Sequence, residues 1–264
     1  MSPVFDGPVE LVMAIFSIAA LEERSTALSL VCVCKAVRKW IIPIIYGTVE
    51  LDNPSTFLFE KMLTMPSSSS ASFVRHLRTT CLPNVDLLSK HCREIQAMTI
   101  ANYDIRHLTR LRLPLLTHLT IGGSLRYSHF SSSMTALATV THLRFPNDIP
   151  RLSDNILSAI PNLTHFLCCY NLSKKSQHRE LVQCLRTVTM APTLRVAVVF
   201  VPSRDRKGED AISQVLGVDE RRIVVVPSVE VPNETEHVSP TDDVRWSVAE
   251  DKLRRRALKL SMKD

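Results

Sequence analysis

The chain has 264 residues, 45% hydrophobic, 22% charged and 6% aromatic, which suits one large folded domain or two smaller ones and excludes a disordered or fibrous chain. Lysine and arginine number 32 against 26 acidic residues, a net charge of +6 that is interspersed except at Arg254, Arg255 and Arg256. That triplet sits in a mixed-charge segment and reads as a solvated helix face, so no nucleic-acid partner is expected.

Glycine is scarce: 6 residues stand where average usage would place about 18. Their spacing holds no GxGxxG, GxxxxGK[ST] or GxSxG, so dinucleotide, P-loop and serine-elbow sites have no support. The 7 cysteines are scattered without a CxxC and read as small buried residues of a reducing compartment, cytoplasmic or nuclear, with no metal, disulfide framework or other cofactor. The apolar stretch 11–21 falls short of the ~20 residues that cross a bilayer. Acidic rather than basic residues precede it, so neither a membrane partner nor a secretory leader is expected.

From Val9 to Tyr46, 26 of 38 residues are apolar. Pro8 suits a helix start, and polar breaks at 22–25 and at Lys35, Arg38 and Lys39 divide the segment into three short helices, the last apolar stretch ending at Pro43. A unit of about 40 residues buries too little of itself to hide so many large side chains. Some must face either the rest of the chain or a separate partner.

The residues Pro8-Val9-Glu10-Leu11, Ile15-Phe16, Leu28-Ser29-Leu30-Val31 and Val33 to Arg38 resemble an F-box, of pattern LPxEL…IF…L…LSLVCKxWR. Trp40, Pro43 and residues 44–49 are similar to the end of such modules in large fungal families. Gly7 and Val37 stand where the pattern has Leu and Trp. The resemblance implies a trihelical module over residues 1–50 that docks an Skp-type adaptor and, through it, a cullin complex. It makes Pro8, Leu11, Ile15, Leu28, Val31 and Val37 the candidate adaptor-binding or core residues, two roles that sequence does not separate.

Residues 51–72, with Pro54, Pro66 and a run of four serines, read as a connector containing one helix near 57–63. From Val74 onward a short unit recurs, apolar at the first, fourth and sixth positions: Val74/Leu77/Thr79, Ile95/Met98/Ile100, Leu116/Leu119/Ile121, Val140/Leu143/Phe145 and Leu163/Phe166/Cys168. The central positions lie 21, 21, 24 and 23 residues apart. This period and LxxLxL shape predict a leucine-rich-repeat-like α/β array over residues 73–227, degenerate because only Asp148 and Asn171 fall where a turn-forming Asn belongs. Helices are expected at 86–92, 131–138, 154–160 and 177–190, and near 209–216. Further strands at 194–201 and 222–226 extend a mostly parallel sheet. Residues 228–264 read as an exposed loop followed by a capping helix over 242–259.

Four histidines, His76, His118, His142 and His165, share the position before the central apolar residue. Alternation places them outward, in a column on the exposed sheet face, where a polar ladder is favoured over a metal site. His91-Cys92 are neighbours without a supporting group, and no carboxylate pair is suggested, so no catalysis is expected. The F-box resemblance, taken with the repeat, thus implies a non-enzymatic substrate receptor whose target is expected to meet His118, His142, Arg144 and His165 on the sheet, with Tyr103, Tyr127, Phe130 and Tyr170 in the following loops. The rival expectation is a repeat scaffold with no ubiquitin role, its amino-terminal helices serving as the array's cap.

Overall fold

The computed structural model describes residues 8–65, 69–101, 108, 110–122, 137–147, 149–150, 152, 158–170, 177–201, 222–227 and 244–261. Three helices open the chain: α1 (Val9–Glu22), α2 (Arg24–Leu30) and α3 (Lys35–Gly47). Pro8 caps α1, its carbonyl accepting from Leu11 N at 3.0 Å, and the extended backbones of Glu23 and Cys34 make the two breaks. The third helix does not stop at Pro43. Proline there forfeits one intrahelical hydrogen bond, while the flanking Ile41, Ile44 and Ile45 pack into the unit's own core and hold the helix through to Gly47.

Eight parallel strands follow: β1 (Thr48–Leu51), β2 (His76–Thr79), β3 (Ala97–Ala101), β4 (His118–Gly122), β5 (His142–Phe145), β6 (His165–Cys169), β7 (Val196–Val201) and β8 (Ile223–Pro227). They lie side by side in chain order, in one sheet. The central apolar residues of the sequence repeat face one another in the pairing: Leu77 meets Met98, Met98 meets Leu119, Leu119 meets Leu143 and Leu143 meets Phe166. Strand β1 was not foreseen, because residues 44–49 read as the end of the helical module. It pairs with β2 from Thr48↔His76 onward and starts the sheet directly at the end of α3.

Between strands run α4 (Asn53–Thr64), a 3-10 turn (Ser69–Phe73), α5 (Val85–His91) and α6 (His178–Thr189). Helix α4 begins four residues before its expected start, since Asp52 and Ser55 form a reciprocal capping box and Pro54 suits the first turn. Asn84 caps α5 by accepting from Asp86 N and Leu87 N at 3.0 and 3.3 Å. Asn84→Ala is expected to cost about 1 kcal/mol, seen as a lower urea midpoint at unchanged slope. The helices expected at 131–138, 154–160 and 209–216 lie wholly or mostly outside the described residues.

Alternation along each strand divides the sheet into two faces. One face sends Leu77, Met98, Leu119, Leu143, Phe166, Ala197 and Ile223 into the main core against Phe59 and Leu63 of α4, Leu88 of α5, and Leu181, Leu185 and Val188 of α6. The opposite face is mostly polar from β1 to β5 and, beyond His165, mostly apolar from β6 to β8. There Leu167, Val196, Val198, Val224 and Val226 form a second core with Trp246 and Ala249 of α7 (Val244–Ser261). The carboxy-terminal helix therefore lies on the sheet face, where it was expected to close the open end of the array. Its Lys252 and Arg256 reach back to the carbonyls of Val225 and Ile223 at 3.0 and 2.9 Å.

Candidate functional site

Two surfaces stand out, one on the amino-terminal helices and one on the polar sheet face. The helical unit has a small core of Ala20, Ala27, Val37 and Ile41, with Phe16, Leu30, Val31 and Trp40 packed against it. Most of its large apolar side chains remain outside that core. Leu11 is 57% exposed, Ile15 54%, Ile18 58% and Leu28 54%, and Val9, Met13, Leu21 and Val33 are exposed as well. The spacing of Leu11, Ile15 and Ile18 puts these three on one stripe of α1. The structure thus separates two roles that sequence left together: Pro8, Leu11, Ile15 and Leu28 are outward, whereas Val37 is core and Val31 is half-buried against it.

On the sheet, His118, His142 and His165 pair in register across β4, β5 and β6. Their rings stack, with centroids 4.1 Å apart at both steps and interplanar angles of 16° and 6°. His76 stands apart from the stack, because its register neighbour on β3 is Ala97 and only the next strand brings His118. Each stacked ring is fixed by the threonine before it. Thr117, Thr141 and Thr164 place Oγ1 at 2.9, 2.9 and 2.8 Å from the Nδ1 of the following histidine, and donate at 3.1–3.2 Å to the carbonyls of Gln96, Thr117 and Thr141, each just ahead of the neighbouring strand. The signal was present in sequence as Thr-His-Leu, Thr-His-Leu and Thr-His-Phe at 117–119, 141–143 and 164–166, but only the histidines were read.

The expected exposure of this column fails at its far end. His165 is 7% exposed, because α7 covers β6: Trp246 stands edge-on to His142 and His165 at 5.6 and 5.4 Å, and His165 Nε2 donates to Glu250 Oε1 at 3.0 Å. Tyr170, expected in an exposed loop, is buried in the main core beside His178 of α6, and burial raises its hydroxyl pKa. Arg144 and His142 are half-buried, as is His118. Tyr103, Tyr127 and Phe130 lie outside the described residues. The open part of the face also carries Glu50 and Arg78, an exposed pair at 3.7 Å that the sequence reading did not select.

Parallel stacking has a chemical consequence. The ring nitrogens run side by side instead of converging, and among the described residues no group of His, Cys, Asp or Glu has the geometry to hold a metal ion. Burial lowers the pKa of His142 to about 3, helped by the neighbouring His118 and His165, so the middle ring is neutral near pH 7. All seven cysteines are free thiols. Cys92, Cys168 and Cys184 are buried as expected, but Cys32, Cys34 and Cys81 are exposed. Burial pushes the Cys92 thiol up to about 12, which removes it as a nucleophile at neutral pH.

No protein-family model matches the chain, and no curated protein similar to it was found. The fold and its surfaces define an α/β protein with a single sequentially ordered parallel sheet, carrying a small helical unit with an apolar exterior at its amino end. Among the described residues no helix is long and apolar enough to cross a membrane.

Proposed function

We propose that this chain is a non-enzymatic substrate-recognition subunit of a cullin-based ubiquitin ligase, acting in the cytoplasm or nucleus. An F-box-like module over residues 1–50 binds an Skp-type adaptor, and a leucine-rich-repeat-like array binds the target protein. The observation that carries this reading is the helical unit, which forms a core of its own and still leaves Leu11, Ile15, Ile18 and Leu28 more than half exposed. A face of that kind is what a partner groove buries. The array half is supported by the sequential strand order and by offsets of 21 to 24 residues between β2 and β6. Its polar face, with His118, His142 and Arg144, offers the target surface.

The second reading, a scaffold without a ubiquitin role, is favoured by one feature: α3 runs straight into β1 and touches the 3-10 turn before β2, as a built-in cap would. Coexpression with an Skp-type adaptor separates the two. Leu11→Asp with Ile15→Asp is expected to weaken adaptor binding by about 100-fold or more while helix content is kept, because both side chains are outward. Failure of the native chain to bind any such adaptor, or unchanged binding in the double variant, leaves the scaffold reading standing.

A further inference from the structure

Among the described residues, helix α7 meets the polar ladder at His142 and His165. Trp246 and Glu250, one turn apart near its amino end, make that contact, and Trp246 also joins Ala249 in the second core against the valines of β7 and β8. We propose that this contact is a proton-sensitive latch, in which protonation of the middle ring of the stack, His142, releases the amino-terminal turns of α7 from the sheet.

Among the described residues, the charged and titratable groups around His142 are mostly basic, with one carboxylate beyond His165. His118 lies against it from β4 and His165 from β6, each with ring centroids 4.1 Å distant, and Arg144 follows two residues on along the same face of β5. From α7 come Trp246, which is neutral, and Glu250, whose Oε1 is engaged by His165 Nε2. Arg245 is turned onto the ring of Phe200, its Cζ 5.0 Å from the centroid. The carboxylate therefore sits at the end of the stack, and the middle ring has imidazoles on both sides and a guanidinium beyond. A proton placed there meets low polarity first, and two further basic rings beside it. Separating α7 admits water to the ring and relieves that cost.

The direction of the effect follows from linkage. The lowered pKa of His142, about 3 against an ordinary 6.5, means that the closed form takes up the proton less readily than the open form. The latch is then fully closed above about pH 6.5 and weakens as pH falls toward 3. At pH 5 the shift corresponds to up to about 30-fold in the closed-to-open ratio if opening hydrates the ring fully. Lys252 and Arg256, bonded to the carbonyls of Val225 and Ile223 at 3.0 and 2.9 Å, hold the later turns, so the opening is local to the first two turns and uncovers Trp246 and Ala249 of the second core.

Hydrogen exchange on the full chain at pH 7.5 and pH 5.0, expressed as protection factors, tests this. The amides of residues 246–252 are expected to lose about 10- to 30-fold in protection on acidification, while those of β3 and β4 change little. A loss at 246–252 no larger than that in β3 and β4 overturns the proposal. In His142→Gln, which cannot take up the proton, the selective loss should vanish; if it persists with β3 and β4 still protected, His142 is not the latch. Should that variant fold poorly, Glu250→Gln serves: it keeps the stack and removes its carboxylate, so opening should begin at higher pH. An unchanged or lower onset would contradict the mechanism.

Discussion

Truncating Phe166 to alanine is expected to cost about 3–5 kcal/mol, a large part of the 5–15 kcal/mol that stabilises a typical domain. Phe166 is fully buried in β6, at the middle of the main core, with its ring 5.9 Å from that of Phe145 on β5. Its removal deletes transfer free energy and leaves a cavity that two flanking strands, fixed by their pairing, cannot collapse to fill. Phe57 provides the contrast. It lies on α4 and is 69% exposed, so Phe57→Ala should stay within about 0.5 kcal/mol of the native chain. Urea unfolding of both variants, followed by far-UV circular dichroism, reads the difference directly. Similar losses at the two positions would mean that the core is not centred on the sheet's helix-covered face.

The residues that make this core were legible because the pattern repeats. The triplets ending at Thr79, Ile100, Ile121, Phe145 and Cys168 give the strand, the inward face and the pairing partner at once, since a parallel sheet in chain order aligns equivalent positions. What the repeat could not give was the other face. Seven outward positions carry histidine, arginine or threonine in β2 to β5, and from such residues the whole face was read as open. The last strands carried a different signal, which was not used: Val196–Val201 reads VAVVFV and β8 reads IVVVP, apolar at successive positions. Strands buried on one face alternate, whereas an unbroken apolar run marks burial on both. That run called for a covering element, and the helix pattern at the carboxyl end supplies it as α7. The burial of His165 follows from the same omission. Strand β1 was missed for a different reason: Tyr46/Val49/Leu51 fits the same unit, and Val49 pairs with Leu77, but it overlaps the end of the helical module, to which residues 44–49 were assigned.

The amino-terminal helices yield the second large effect. The full chain without a partner is expected to self-associate at micromolar concentration, and replacing Leu11, Ile15 and Ile18 together by Gln should restore a monomer. Burying one such side chain is worth about 1.5–3 kcal/mol, and a pairing of two copies buries a stripe of three from each, roughly 9–18 kcal/mol to set against an association cost of about 4–15 kcal/mol. The substitutions touch exposed positions only, and the melting temperature should move by no more than a few degrees. Ile41→Ala is the opposing control. Ile41 is fully buried among Ala20, Ala27 and Val37, so its loss should weaken the helical unit by about 2–5 kcal/mol without relieving association. Sedimentation velocity across a tenfold concentration range distinguishes the cases. A native chain that stays monomeric throughout would show that the α1 stripe is not adhesive and would remove the main physical support for a partner on that face. Association that survives the triple substitution would instead place the adhesive surface elsewhere, with the exposed Phe57 and Leu58 of α4 the next residues to replace.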